Sequence, residues 1–183
     1  MNNRQILNNI LLSDNVVNDI NKNIKFITDI IPEISFMIGF EHKHPHHDLD
    51  VYNHTLKALS NSKKDLHVRI ALLLHDIGKP FSYQDEGTIR HFHGHPKVSA
   101  EMSEIILKRL GYEEDFISDI IYLVENHDSL IDTENLDNNI ELVRKRLEIQ
   151  FADAKAHKED KIEKRLNILN KVKENLNSPN SNN

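Results

Sequence analysis

The chain contains no cysteine, and only five glycines and five prolines among 183 residues. Without cysteine neither a disulfide framework nor a thiolate zinc site can exist, so a metal would have to be held by imidazole and carboxylate. With so little glycine and no Gly-rich loop, phosphate cradles of the P-loop or dinucleotide-fold type are not expected. No segment reaches the roughly 20 consecutive apolar residues that a membrane span needs. Met1-Asn2-Asn3-Arg4 opens into amphipathic sequence rather than an apolar run with a small-residue cleavage site. The expected location is the cytoplasm, with no membrane contact. Acidic residues outnumber basic ones, 29 to 23, for a net charge of −6. That balance argues against broad electrostatic binding to nucleic acid, and no stable nucleic-acid complex is expected. A small nucleotide, or one strand end, could still be held by a few local cations and a metal.

Helical periodicity runs through most of the chain. Ile6, Leu7, Ile10 and Leu11 recur at helical spacing, and Val16, Val17, Ile20, Ile24, Ile27, Ile30 and Ile31 continue the pattern. Pro32 suits the first turn of a further helix carrying Ile34, Phe36, Met37 and Ile38. Residues 41–50 form a polar, His-rich connector, after which Asp48 or Asp50 can cap a helix from Val51 to about Leu59. The next helix runs from about Asp65 into His75-Asp76, where Pro80 is expected to block further helix. Residues 81–94 read as a loop. Pro96 starts a helix that Gly111 ends, another spans Glu113 to about His127, and residues 138–176 are helical with one break. No period-2 strand pattern and no internal repeat is visible. The expectation is an all-α fold, a single compact bundle of about seven to nine helices. Residues 1–40 would be a helical extension packed on a core domain of 41–176, with 177–183 a disordered tail.

The chemistry-bearing residues stand out against that background. In Leu72-Leu73-Leu74-His75-Asp76-Ile77-Gly78-Lys79-Pro80 an apolar run delivers a His-Asp pair just where its helix must end. His54 opens one helix, His95 precedes another, His127 and Asp128 end a third, and Asp153 sits among Phe151, Ala152, Ala154 and Ala156. A carboxylate among apolar neighbours is costly unless a cation or hydrogen bonds compensate it. Neutral imidazole with carboxylate suits Mn, Fe, Ni, Co or Zn, with Mg possible. Asp76 has two oxygens with which to bridge two ions, and a pair about 3.5–4 Å apart can clamp an in-line phosphoryl displacement.

The order His54…His75-Asp76…Asp153 resembles that of the HD-domain metal-dependent phosphohydrolases. Pro45 to Leu56, Ala71 to Pro80, His91-Phe92-His93-Gly94-His95 and Ala152-Asp153-Ala154 are similar to segments of the HD domains attached to bacterial tRNA nucleotidyltransferases. The resemblance covers roughly residues 32 to 170, making residues 41–176 the HD domain. It implies an all-helical core with His54, His75, Asp76 and Asp153 around one metal. It also implies His95 and His127 at a second metal or in the pocket lining, as in HD-type diadenosine tetraphosphate hydrolases. Lys79 looks like a contact to the substrate phosphate or the attacking water, and family activities include phosphatase and cyclic phosphodiesterase reactions. Residues 1–40 are far too short for a nucleotidyltransferase head, so nucleotide addition to tRNA is not expected, and the segment between His127 and Asp153 is shorter than in those enzymes.

The expected function is therefore metal-dependent hydrolysis of a nucleotide or another small phosphoester, with one or two divalent ions. Asp76 and Lys79 would be the catalytic pair, and Arg90, His91 and His93 would join Lys79 in binding substrate. A regulatory nucleotide-binding module, a di-iron oxygenase using the same ligands, and an RNA end-repair accessory are the competing expectations. His42, His44, His46 and His47 read as a solvated connector, His67 and His157 as surface residues, and Lys161, Glu163, Lys164 and Arg165 as a solvated charged face.

Overall fold

A computed structural model describes residues 1–44, 48–134 and 139–178. His46, His47 and the tail from residue 179 lie outside the described residues. The fold is all-α. Nine α-helices of seven residues or more, and one of a single turn, account for nearly all the regular structure described. The N-terminal part contributes α1 (Asn3–Leu11), α2 (Val16–Lys22), α3 (Ile24–Ile30) and a 3-10 turn at Pro32–Phe36. Then come α4 (Val51–Ser60), α5 (Leu66–Leu74), the single-turn α6 (Lys79–Ser82), α7 (His95–Leu110), α8 (Glu114–Glu125), α9 (Ile140–Ala154) and α10 (Glu159–Asn177). No helix among the described residues is long and apolar enough to cross a membrane.

Local signals account for the helix ends. Asp50 caps α4 by accepting from Asn53 N, and its other oxygen accepts from Gly39 N at 2.9 Å, pinning the preceding turn. Asp65 caps α5 by accepting from Val68 N. Gly111, at φ +76°, ends α7 in the left-handed conformation that favours glycine. Two expectations need correction. Pro80 does not stop helix formation; it stands in the first turn of α6, where its missing N–H would be unpaired in any case. Residues 81–94 are not all loop. β1 (Gln84–Asp85) pairs antiparallel with β2 (Arg90–His91) through a turn held by Glu86 N to Ile89 O at 2.9 Å. Strands of two residues are too short to leave a period-2 pattern in sequence.

One apolar core joins α1 to α5, α7, α8 and the C-terminal half of α9, through Ile149 and Ala152. Arg69, buried on α5, ties in the N-terminal helices: its guanidinium donates to Leu11 O and to Ser13 O at the C-terminal end of α1, where helix carbonyls lack partners. A smaller cluster of Ile131, Val143, Leu147, Ala154 and Leu169 joins α9 to α10. Ala152 faces the large core and Ala154 the small one, so Asp153 is delivered at the seam between them.

Candidate metal centre

Five helices meet at one point. His75 caps the C-terminus of α5 and Asp76 follows it; His54 lies within α4, His95 begins α7, His127 lies just past α8, and Asp153 is near the end of α9. Gly78 is what lets α5 and α7 come this close. A β-carbon there would lie 2.6 Å from Ser99 N and 2.9 Å from Ser99 Oγ, the oxygen that accepts the Gly78 N–H. On the other side, α9 reaches across with Arg146 and Gln150. Arg146 donates to Asn126 O, Ser129 O and Leu130 O, and Gln150 to Ser129 O, clamping the loop that carries His127 and Asp128.

The histidine rings are oriented from behind. Nδ1 of His75 lies 2.7 Å from Leu72 O, Nδ1 of His127 2.7 Å from Val124 O, and Nδ1 of His95 2.9 Å from Phe92 O. A carbonyl only accepts, so each Nδ1 carries a proton and each Nε2 points inward. Backbone contacts of this kind fix the tautomer of metal-ligating histidines. The inward atoms fall into two groups around Asp76. Its Oδ2 lies 3.2 Å from His75 Nε2 and 3.7 Å from His54 Nε2, and Asp153 Oδ1 completes this group at 2.9 Å from His54 Nε2 and 3.7 Å from His75 Nε2. Its Oδ1 lies 3.3 Å from His95 Nε2 and 3.8 Å from His127 Nε2. Among the described residues, the clusters able to hold a metal are His54/His75/Asp153, His75/Asp76/His127 and His95/His127/Asp128.

These residues suit a divalent cation. His75 Nε2 and Asp76 Oδ1 are buried without a hydrogen-bonding partner, although other polar atoms crowd them. His95 and His127 bring their Nε2 atoms to 3.4 Å of each other. Burial, reinforced by the neighbouring His75, pushes His127 down to about 4, so at neutral pH its lone pair is bare. Burial opposes charge on His75 too, yet the carboxylates of Asp76 and Asp153 outweigh it and push His75 up to about 10. Asp76 and Asp153 resist burial's upward push and stay well below the usual carboxylate range, Asp76 through His75 and Lys79, and Asp153 through His54 and His75. Positive charge is favoured at the point where the rings converge, and a divalent ion would supply it.

Lys79 is buried beside this point. Its Nζ donates to Asp76 Oδ2 at 2.8 Å and to His42 Nε2 at 3.2 Å, and it sits 5.5 Å above the Phe92 ring. His42 therefore corrects the reading of the 42–47 cluster as solvated: it is 1% exposed. Its Nδ1 donates to Leu49 O, and burial together with Lys79 pushes it down to about 3, which keeps it a neutral acceptor. His157 is likewise no surface residue, since its Nδ1 donates to Asp153 O and its ring packs 5.3 Å from that of His54. His67 is half-buried against the Phe116 ring, remote from the centre. Arg165 leaves the solvated face assigned to it and reaches to 3.8 Å from Asp153 Oδ2.

Above the centre lies a cleft of about 390 Å³, lined by His44, Lys79, Arg90, His91, His93, His95, His127, Asp153 and Arg165 among others. His91 and His93 stack with their planes 6° apart. Arg90 is occupied by its own support: it donates to Asp85 and to Glu41 O, and its guanidinium lies over the rings of Phe40 and Tyr83. His42 and Arg165 were missed because nothing in their sequence surroundings is apolar enough to make a polar residue anomalous, and His157 because Lys158, Glu159 and Asp160 follow it at once.

Comparison with known proteins agrees with the geometry. An A-adding tRNA nucleotidyltransferase of Deinococcus radiodurans is 44% identical over 71 residues, covering 35% of this chain and 16% of that protein. A CC-adding tRNA nucleotidyltransferase of Thermus thermophilus is 29% identical over 104 residues, covering 53% of this chain and 24% of the other. The chain thus spans less than a quarter of the length of either relative. The HD domain family model matches residues 46–175, the greater part of the chain. The chain belongs to the HD-domain family, a superfamily of metal-dependent hydrolases.

Proposed function

We propose that this chain is a metal-dependent phosphohydrolase acting on a nucleotide or another small phosphoester, with one or two divalent ions drawn from Mn, Fe, Ni, Co, Zn or Mg. The observation that carries it is the split coordination around Asp76. One carboxylate oxygen faces the His54, His75 and Asp153 group, and the other faces His95 and His127, beneath a cleft wide enough for a small ligand.

A bound divalent cation would polarise a phosphoryl oxygen and lower the pKa of an adjacent water. The remaining work falls to the chain's own groups. Asp76 orients the attacking water or accepts its proton. Lys79 has three N–H donors, two of them directed to Asp76 and His42, and the third can neutralise charge developing on the phosphoryl oxygens. His42, held neutral, positions Lys79 without competing for the anion. His91 and His93 contribute donors at the mouth of the cleft, while Arg90 keeps their hairpin in place. The floor is dry enough for these charges to act at low dielectric, since His75 and Asp76 are at most 1% exposed.

The partner proposed is a small phosphorylated molecule. The two tRNA nucleotidyltransferases bring RNA into view, yet the net charge of −6 offers little to a polyanionic backbone. The test is a panel of a phosphomonoester, a cyclic phosphodiester and nucleotides, each run with Mn, Ni, Co and Mg. Turnover that requires metal and disappears in Asp76→Ala is expected. Metal-loaded protein that cleaves no member of the panel would count against hydrolysis and favour a regulatory role.

A further inference from the structure

Arg165 has donors to spare beside a carboxylate that is already taken. Its Nη2 is 3.8 Å from Asp153 Oδ2, beyond hydrogen-bonding distance, and its Nε is buried with no partner. Asp153, meanwhile, contacts His54 Nε2 at 2.9 Å and faces the point where a cation fits. A guanidinium presents donors in a planar fork that matches two oxygens of a phosphate, and leaving such donors buried and unpaired is unfavourable.

The surroundings of Arg165 are cationic as well. Arg165 and His157 line the metal cleft and also an adjoining recess of about 460 Å³, whose other walls are Asp160, Lys161, Lys164 and Ile168 on α10. Asp160 is engaged by Lys161 at 2.9 Å, and among the described residues Lys164 makes no ion pair. The recess therefore holds three side-chain cations against one carboxylate, directly beside the ligand group of Asp153. No part of the mechanism above uses it.

We infer that this recess binds a second anionic group of the substrate, so that the substrate class is a phosphoester bearing two phosphates. The scissile one would lie over His54, His75, Asp76 and Asp153, and the distal one against Arg165 and Lys164. The inference deepens the proposed function and rests on it for the place of the scissile phosphate.

The test is competition binding of inorganic phosphate and inorganic pyrophosphate to metal-loaded protein, with metal content measured before and after. Wild type should prefer pyrophosphate by at least about tenfold. Arg165→Met should bring that ratio to within about threefold of unity while phosphate affinity and metal content hold. Arg165→Lys should recover part of the ratio, because it restores charge without the fork. Lys164→Gln, at an exposed position, should lower it by about two- to fivefold. Equal affinities in wild type would overturn the inference. So would an Arg165→Met variant that weakens both ligands alike, since Arg165 would then only support Asp153. Should Arg165→Met fail to fold, an unchanged ratio in both Lys164→Gln and Lys161→Gln would overturn it. Binding needs no turnover, so the two failures are distinguishable. Cleavage of monophosphates with no pyrophosphate preference keeps the function and loses the recess. A pyrophosphate preference through Arg165 in a protein that cleaves nothing keeps the recess and loses the function.

Discussion

At the floor of the cleft His75, His95 and His127 each give their Nδ1 proton to a backbone carbonyl, and buried neighbours fix their rings. At the rim His91 and His93 lean on one another at the end of a two-residue strand, and Arg165 extends from a helix with one buried residue, Leu169. The floor is preorganised by interior helices, and the rim by surface contacts that can be exchanged. A metal demands fixed geometry, whereas substrate selection tolerates adjustment. On the proposed function, the most deeply buried elements serve the first task and the least buried ones the second.

The largest effect that would sharpen this contrast is at the floor. Asp76→Ala removes the carboxylate both ligand groups share, so metal should be lost and turnover should fall by about a thousandfold or more. Elemental analysis alongside steady-state kinetics checks both. Gly78→Ala comes next. Its new β-carbon must displace backbone of α7, so stability should fall by about 1–3 kcal/mol by chemical denaturation. Gly94→Ala, at the residue before α7 but with open space around it at φ +76°, should cost only about 1 kcal/mol. Equal costs would break the claim that close packing under the floor matters more than rim backbone.

His42→Ala should reduce turnover by about 10- to 100-fold with metal retained, and His42→Gln should recover part of it by offering Lys79 an acceptor. A loss of metal in His42→Ala would instead assign His42 to the ligand set. Asp65→Ala tests the helix that delivers the floor. Burial raises the Asp65 carboxyl, but the bond from Lys145 and the Val68 N–H outweigh it, and its pKa is lowered in the fold. Its stabilisation is therefore present above the unfolded carboxyl pKa of about 3.9 and fades as pH falls through the lower folded value. The variant should lose about 1 kcal/mol at neutral pH and almost nothing in strong acid. The smallest effects belong to His91→Ala and His93→Ala, which should leave metal content intact and raise KM by about two- to fivefold.

The same contrast decides what could be read from sequence. His75-Asp76 and Asp153 were legible because charged residues stood in apolar runs, where burial demands a compensating cation. Helix ends at Asp50, Asp65 and Gly111 were legible because caps are local chemistry. His42 and Arg165 were not, because each is a polar residue in a polar segment, and His157 stands where the apolar run gives way to Lys158, Glu159 and Asp160; only the fold brings them inward. The hairpin was hidden for a related reason: its pairing is set by Gly87 and by Arg90 reaching to Glu41 and Asp85, contacts with no periodic trace.

The central claim is that the His54, His75, Asp76 and Asp153 group, together with His95 and His127, exists to hold metal. Its most direct measurement is the metal content of protein purified without an affinity tag, for wild type and Asp76→Ala side by side. The account predicts at least one equivalent of transition metal in wild type and essentially none in the variant. Folded, metal-free wild-type protein that fails to bind added Mn or Ni would contradict it.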